Sequence, residues 1–149
     1  MPLRSTRVIH PDWAARHMPV VAGTMNATCV ITHGTAGGWD PVTGPTAGTP
    51  STTYTGPCRV QYAGTAPREA DAAGELVTTR TVLVVLPRDL DGVPVPVQPS
   101  SARVTVTAVD ENGPTGLVGQ VLTVGAVNLS SLAWEQDLTC TDDQTTPEA

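Results

Sequence analysis

The chain has 149 residues, with Lys+Arg 8 against Asp+Glu 14 and a formal net charge of −6. That length fits one domain with a single core, and a basic set made only of scattered Arg excludes a standing grip on nucleic-acid phosphates, which needs clustered positive charge. No apolar run approaches the ~20 residues of a membrane helix, and Arg4 and Arg7 precede no signal-peptide core, so a soluble protein made in the cytoplasm is expected.

In chain order, His10 to Met18 reads as a short helix: Pro11 suits a first helical position, Asp12 suits the positive helix end, and Pro19 should stop or kink it. A first strand follows, in which Cys29 and Ile31 alternate with Thr28, Val30 and Thr32. The interval from Gly34 to Thr53 contains GGWDPVTGPTAGTP and reads as loop. In a compact domain a loop of that length is functional or disordered.

Cys58, Val60 and Tyr62 alternate with Arg59 and Gln61 in a second strand, and Ala63 to Gly74 reads as a connection. Thr81 to Leu86 is apolar at consecutive positions, which predicts a strand covered on both sides at the centre of the sheet. Pro87 to Ser101 carries VPVPVQP, where Pro94, Pro96 and Pro99 cannot donate ladder hydrogen bonds, so it reads as an edge, an extended crossover or a partner-facing arm. Val104, Val106 and Ala108 alternate with Arg103, Thr105 and Thr107, and Gly119 to Val127 is another apolar strand. The last strand places Leu132, Trp134, Leu138 and Cys140 on one face, opposite Ala133, Glu135, Asp137 and Thr139.

About six strands and a short N-terminal helix result: a mainly β fold, a small β-barrel or sandwich with long loops. One domain, 1–149, is expected, with an N-terminal arm and helix over 1–27 and an acidic flexible tail over 141–149. The predicted core comprises Val30, Val60, Leu83, Val85, Val104, Val106, Leu122, Val124 and Trp134.

Chemistry-bearing patterns are sparse. Without Lys there is no phosphate-binding loop, and GPTGLVG lacks a strand-to-helix setting. His10, His17, His33 and the cysteines lack metal-ligand spacing, and Cys29, Cys58 and Cys140 read as reduced, partly buried thiols. Cys29 and His33 share a strand parity, a weak nucleophile-and-base signal. Asp110 and Glu111 sit in a turn with Asn112-Gly113-Pro114. No catalytic, cofactor or metal site is read, and an enzyme is not expected.

Taken in order, VIHPDWAARHMPVVAGTMNATCVI, WDPVTGP, YTGPCRVQY, AAGELVTTRTVLVVLP and the closing WEQDLTC resemble the small head-to-tail connector proteins of long-tailed phages and prophages of high-GC actinobacteria. Within that group the chain looks most like the head-closure, or stopper, subunit, with YTGPCRVQ and the DP-x-TG turn as the most specific pieces. It departs from the usual pattern where VQPSSARVTV replaces a Gly-Asp turn.

The resemblance implies a small β-barrel that forms a ring of about six copies, or about twelve, in the virion neck. Such a ring closes the filled head below the portal and adaptor and docks the tail terminator or tail tube beneath. Passing DNA would touch it transiently and non-specifically, and neither a cofactor nor a membrane is implied. A ring subunit must offer several unlike surfaces, which gives the long loop a purpose: Trp39, Asp40, Pro41, Val42, Thr43 and Gly44 are the candidate interface or lumen arm. Val93, Pro94, Val95, Pro96 and Val97 are the alternative arm, and Trp13, Arg16 and His17 the candidate neighbour-docking segment. A tail-terminator or minor tail subunit is the alternative within the class, and a soluble loop-based ligand-binding β domain the alternative outside it.

Overall fold

The computed structural model describes residues 10, 12–34, 37–45, 48–64, 68–72, 75–88, 93–129 and 134–143. Among the described residues the chain runs through a helix α1 (Trp13–Ala22) and nine strands: β1 (Ala27–His33), β2 (Trp39–Asp40), β3 (Gly44–Pro45), β4 (Ser51–Tyr62), β5 (Arg68–Ala72), β6 (Glu75–Pro87), β7 (Ala102–Val109), β8 (Val121–Asn128) and β9 (Glu135–Asp143). Six of these form one antiparallel sheet in the order β4-β1-β7-β8-β9-β6, and a further β4–β6 pairing, Arg59↔Val85 to Tyr62↔Val82, closes it into a barrel. Closure removes the exposed edges that an open sheet would present.

A six-stranded barrel is narrow, because diameter grows with strand number. Its interior is accordingly filled by residues of small and medium size. Cys29, Ile31, Cys58, Val84, Val104, Leu122, Val124 and Leu138 are fully buried. The absence of Phe from the sequence fits that bore.

Period-2 alternation decides which residues enter. In β1 the inward set is Ala27, Cys29, Ile31 and His33, so Val30 lies half-buried on the outer face rather than in the expected core. Along β6, Val82, Val84 and Leu86 point inward and Leu83 is only half-buried, whereas Val85, on the outer face between Arg59 and Asp137, is fully buried. Val104, Val106, Leu122 and Val124 are buried as expected. Val60 is partly buried against the core, and Trp134 is half-buried outside it, against Trp13.

Element assignments also differ from the sequence reading, beginning with the helix. α1 passes through Pro19 and ends at Ala22, with Gly23 N–H donating to the Pro19 carbonyl at 2.9 Å and Thr24 N–H to that of Val21 at 3.0 Å. The carbonyl that Pro19 cannot serve belongs to Ala15, an exposed residue. Within the supposed connection, β5 forms a hairpin with the start of β6, from Arg68↔Thr79 to Ala72↔Glu75. Its Ala- and acid-rich composition has little intrinsic strand preference, so pairing alone makes it a strand. At the other end, β9 runs to Asp143 and Asp142 is buried, so residues 141–143 belong to the barrel rather than to a flexible tail. Pro11, Leu132, Ala133 and residues 144–149 lie outside the described residues.

Candidate functional site

Between β1 and β4 the chain is not plain loop. β2 and β3 pair antiparallel, Trp39↔Pro45 and Asp40↔Gly44, so all six residues of the candidate arm belong to one small hairpin. Its turn chemistry is explicit in Asp40-Pro41-Val42-Thr43-Gly44. Pro41 presets φ, the Asp40 Oδ1 accepts the Val42 N–H at 2.8 Å, and Gly44 takes a φ of +82° that a side chain would strain. The Val42 N–H, assisted by Thr43, holds the Asp40 carboxyl below its ordinary value. Trp39 is 76% exposed and Val42 89% exposed. An ordered turn thus carries two large apolar side chains into solvent.

The second feature is the crossover between β6 and β7. In the ring order these strands stand three places apart whichever way one counts, and the described residues 93–98 of their connection are bonded to Gln136 of β9 and His33 of β1, on opposite sides of the barrel end. Residues 93–98 form this strap. Val95 and Val97 pack against the core, whereas Val93, Pro94 and Pro96 are exposed, so the alternative arm is split between an inner and an outer side.

Two buried polar side chains hold the strap. Gln136, in β9, receives the Val95 N–H on Oε1 at 2.8 Å and donates from Nε2 to the Val95 carbonyl at 3.0 Å. His33, at the end of β1, accepts the Gln98 N–H on Nε2 at 2.8 Å. That bond leaves the ring proton on Nδ1, which faces the Thr53 hydroxyl at 3.2 Å, and Thr53 in turn donates to the Ile31 carbonyl at 3.3 Å. Beside this chain lies a groove of about 280 Å³ lined by His33, Gly34, Ser51, Thr53, Pro96 and Gln98.

Residues 17–141 match DUF6093, described as a family of unknown function, so the matched span starts within α1, ends within β9 and includes both arm and strap. The chain belongs to DUF6093. No curated protein and no solved structure matches it.

The third predicted segment of this DUF6093 chain sits at the helix. Trp13 lies 4.6 Å from Trp134 and 4.5 Å from His17, ring centre to ring centre, while Arg16 is exposed. The His17 Nδ1 is 2.8 Å from the Trp13 carbonyl. Arg59 ties the same region together, reaching Glu135 at 3.1 Å with one guanidinium nitrogen and the Thr24 hydroxyl with the other. Trp13 and His17 therefore rest on the wall of their own barrel.

Cys29, Cys58 and Cys140 are free, buried and inward-facing. Hydrogen bonding with Cys58, then burial, raises the Cys29 pKa, and burial pushes that of Cys140 up to about 12. Both His33 ring nitrogens are engaged, by Thr53 and the Gln98 N–H, so His33 is no base for Cys29. Among the described residues no group of three or more His, Cys, Asp or Glu is arranged to hold a metal ion.

The sequence reading missed the clamp formed by His33, Thr53 and Gln136. One signal was present: Gln136 has the parity of Leu138 and Cys140, and a polar residue on a core face needs a buried hydrogen-bond partner.

Proposed function

We propose that this chain is a structural subunit of a phage neck, a head-closure ring that seals the DNA-filled head below the portal and adaptor and docks the tail, without catalysing a reaction. The observation that carries this reading is the arm: Trp39 and Val42 stand exposed on a turn ordered by Asp40 and Gly44. Closure leaves few strand edges for pairing, which gives exposed loops a larger part in association, and exposed aromatic anchors are what interface centres use. The sequence resemblance to connector proteins supplies the partners and the site in the virion.

Charge supports weak contact with passing DNA. A ring of about six copies carries roughly −36 in formal charge, which repels phosphate, so retention of the genome falls to loop closure and not to attraction. A soluble ligand-binding domain is the second reading, favoured by the groove beside His33, whose roughly 280 Å³ lies at the small end for ligand pockets.

Replacing Trp39 to Thr49 by a two-residue Asn-Gly turn should leave the barrel folded, because that turn joins antiparallel strands. Capsids carrying the shortened chain should leak DNA or fail to join tails, and electron microscopy of such particles reads both. Normal infectious particles would remove the arm from the assembly and this reading with it.

A further inference from the structure

Of the two buried side chains that hold the strap, Gln136 and His33, only His33 can take up a proton. Its Nε2 receives the Gln98 N–H at 2.8 Å. A backbone N–H can only donate, so this bond requires a lone pair on Nε2 and therefore a neutral ring with its proton on Nδ1, which faces the Thr53 hydroxyl at 3.2 Å. The imidazolium carries a proton on both nitrogens. It can keep the Thr53 contact but not the Gln98 one, where donor would meet donor.

Nothing described around the ring compensates the added charge. β4 offers Ser51 and Thr53, the strap offers Pro96 and Gln98, and β7 offers Ala102, the register partner of His33; none of these is ionisable. Along the inward face of β1, Ile31 separates His33 from the Cys29 thiol. Arg103, next along β7, pairs with Thr32 and is exposed. Proton binding and the Gln98 bond thus exclude each other, so the fastened strap holds fewer protons than the released one and is favoured as pH rises.

The release is local. On one side Val95 stays on the Gln136 amide, which does not titrate, and on the other the Gln98 carbonyl still receives the Ala102 N–H at 3.1 Å. The stretch between them, with Pro96 and Gln98, forms a wall of the groove beside His33.

We propose that His33 is a pH-sensitive latch: on acidification it takes a proton, drops the Gln98 N–H and loosens residues 96–98, opening the groove they share with Ser51 and Thr53. The proposal goes beyond the neck reading and does not rest on it, because the latch lies within the single chain.

NMR of the isotope-labelled full-length chain from about pH 8 to about pH 5, across the usual titration range of imidazole, tests it. At the upper limit the His33 ring nitrogens should report the neutral Nδ1–H tautomer. As pH falls, protection of the Gln98 amide, corrected for the intrinsic exchange rate, should drop at least about tenfold, the effect of losing one hydrogen bond. The drop should follow the His33 titration while the β6–β9 ladder amides stay protected. His33→Gln, whose Oε1 can replace Nε2 as an acceptor that does not titrate, should hold Gln98 protection level across the range. An Nε2–H tautomer at the upper limit, Gln98 protection independent of pH, or a drop shared with the barrel ladder overturns the latch. These three outcomes are read in the unsubstituted chain and stand whether or not the variant folds. A drop that persists unchanged in folded His33→Gln overturns it as well, since another group would then be responsible.

Discussion

The Gln136 side-chain amide is matched to the Val95 backbone as one strand is to another, with a donor and an acceptor on each partner at 2.8 and 3.0 Å. It replaces a ladder that the prolines at 94 and 96 do not allow. Gln136→Ala leaves both Val95 groups without their partner and should cost about 1–3 kcal/mol in urea unfolding. Gln136→Glu keeps the shape but sets a carboxylate oxygen against the Val95 carbonyl, so it should be no more stable than the Ala variant. An unchanged urea midpoint for Gln136→Ala would mean the strap is held by its valines alone.

Tyr54 arches over Gly56. Its hydroxyl donates to the Pro57 carbonyl at 2.7 Å, and a Cβ at Gly56 would lie 2.8 Å from that hydroxyl. This is a physical reason for the Tyr-Thr-Gly-Pro order in β4. Gly56→Ala should destabilise by about 1–3 kcal/mol, the range for overpacking. In the Tyr54→Phe background the penalty should shrink, because the colliding oxygen is gone, and a double-mutant cycle measures that coupling. Strict additivity would mean the two residues do not interact.

The three thiols should be silent toward a disulfide reagent such as DTNB at pH 8 in the folded protein and should all react in denaturant, because each is buried. For Cys140 burial raises the folded pKa from 9.0 to about 12, so the neutral thiol is the form the fold favours. Its contribution to stability is complete below pH 9.0 and is lost as pH rises toward about 12. Cys140→Ala should flatten the decline in urea midpoint across that window, and an unaltered slope would show that other groups cause it.

The Trp13–Trp134 contact fixes α1 to the barrel, with ring centres 4.6 Å apart. A ten-residue helix containing Pro19 is marginal in isolation, so its order depends on such contacts. A double-mutant cycle with Trp13→Ala and Trp134→Ala should give a coupling of about 0.5–1.5 kcal/mol. Hydrogen exchange across α1 should speed up in either variant while the barrel amides stay protected. Loss of protection throughout would make the pair part of the global fold and not a local fastening.

Replacing the arm's apolar tip by Trp39→Ser and Val42→Ser should leave the thermal midpoint nearly unchanged, within about 0.5 kcal/mol, because neither side chain is buried in the single chain. Self-association measured by light scattering should fall sharply. A large drop in midpoint would instead mean that the tip packs on its own barrel.

Much of the barrel was legible in the residues themselves. Alternation is local, so Cys29 and Ile31 against Val30, or Leu138 and Cys140 against Asp137 and Thr139, mark strands with two unlike faces, and Asp40-Pro41 followed by Gly44 marks a turn. Which face turns inward is a different matter where both are apolar. In Thr81 to Leu86 nothing local separates Leu83, half-buried, from Val84, fully buried, until β4 and β9 pair on either side. Closure of the ring, the diametral course of the strap, the Gln136 clamp and the placement of Trp134 outside the core were decided only in three dimensions. Each depends on contacts between residues tens of positions apart, such as Val95 with Gln136 or Gln98 with His33, and periodicity within a single strand carries no information about its partners.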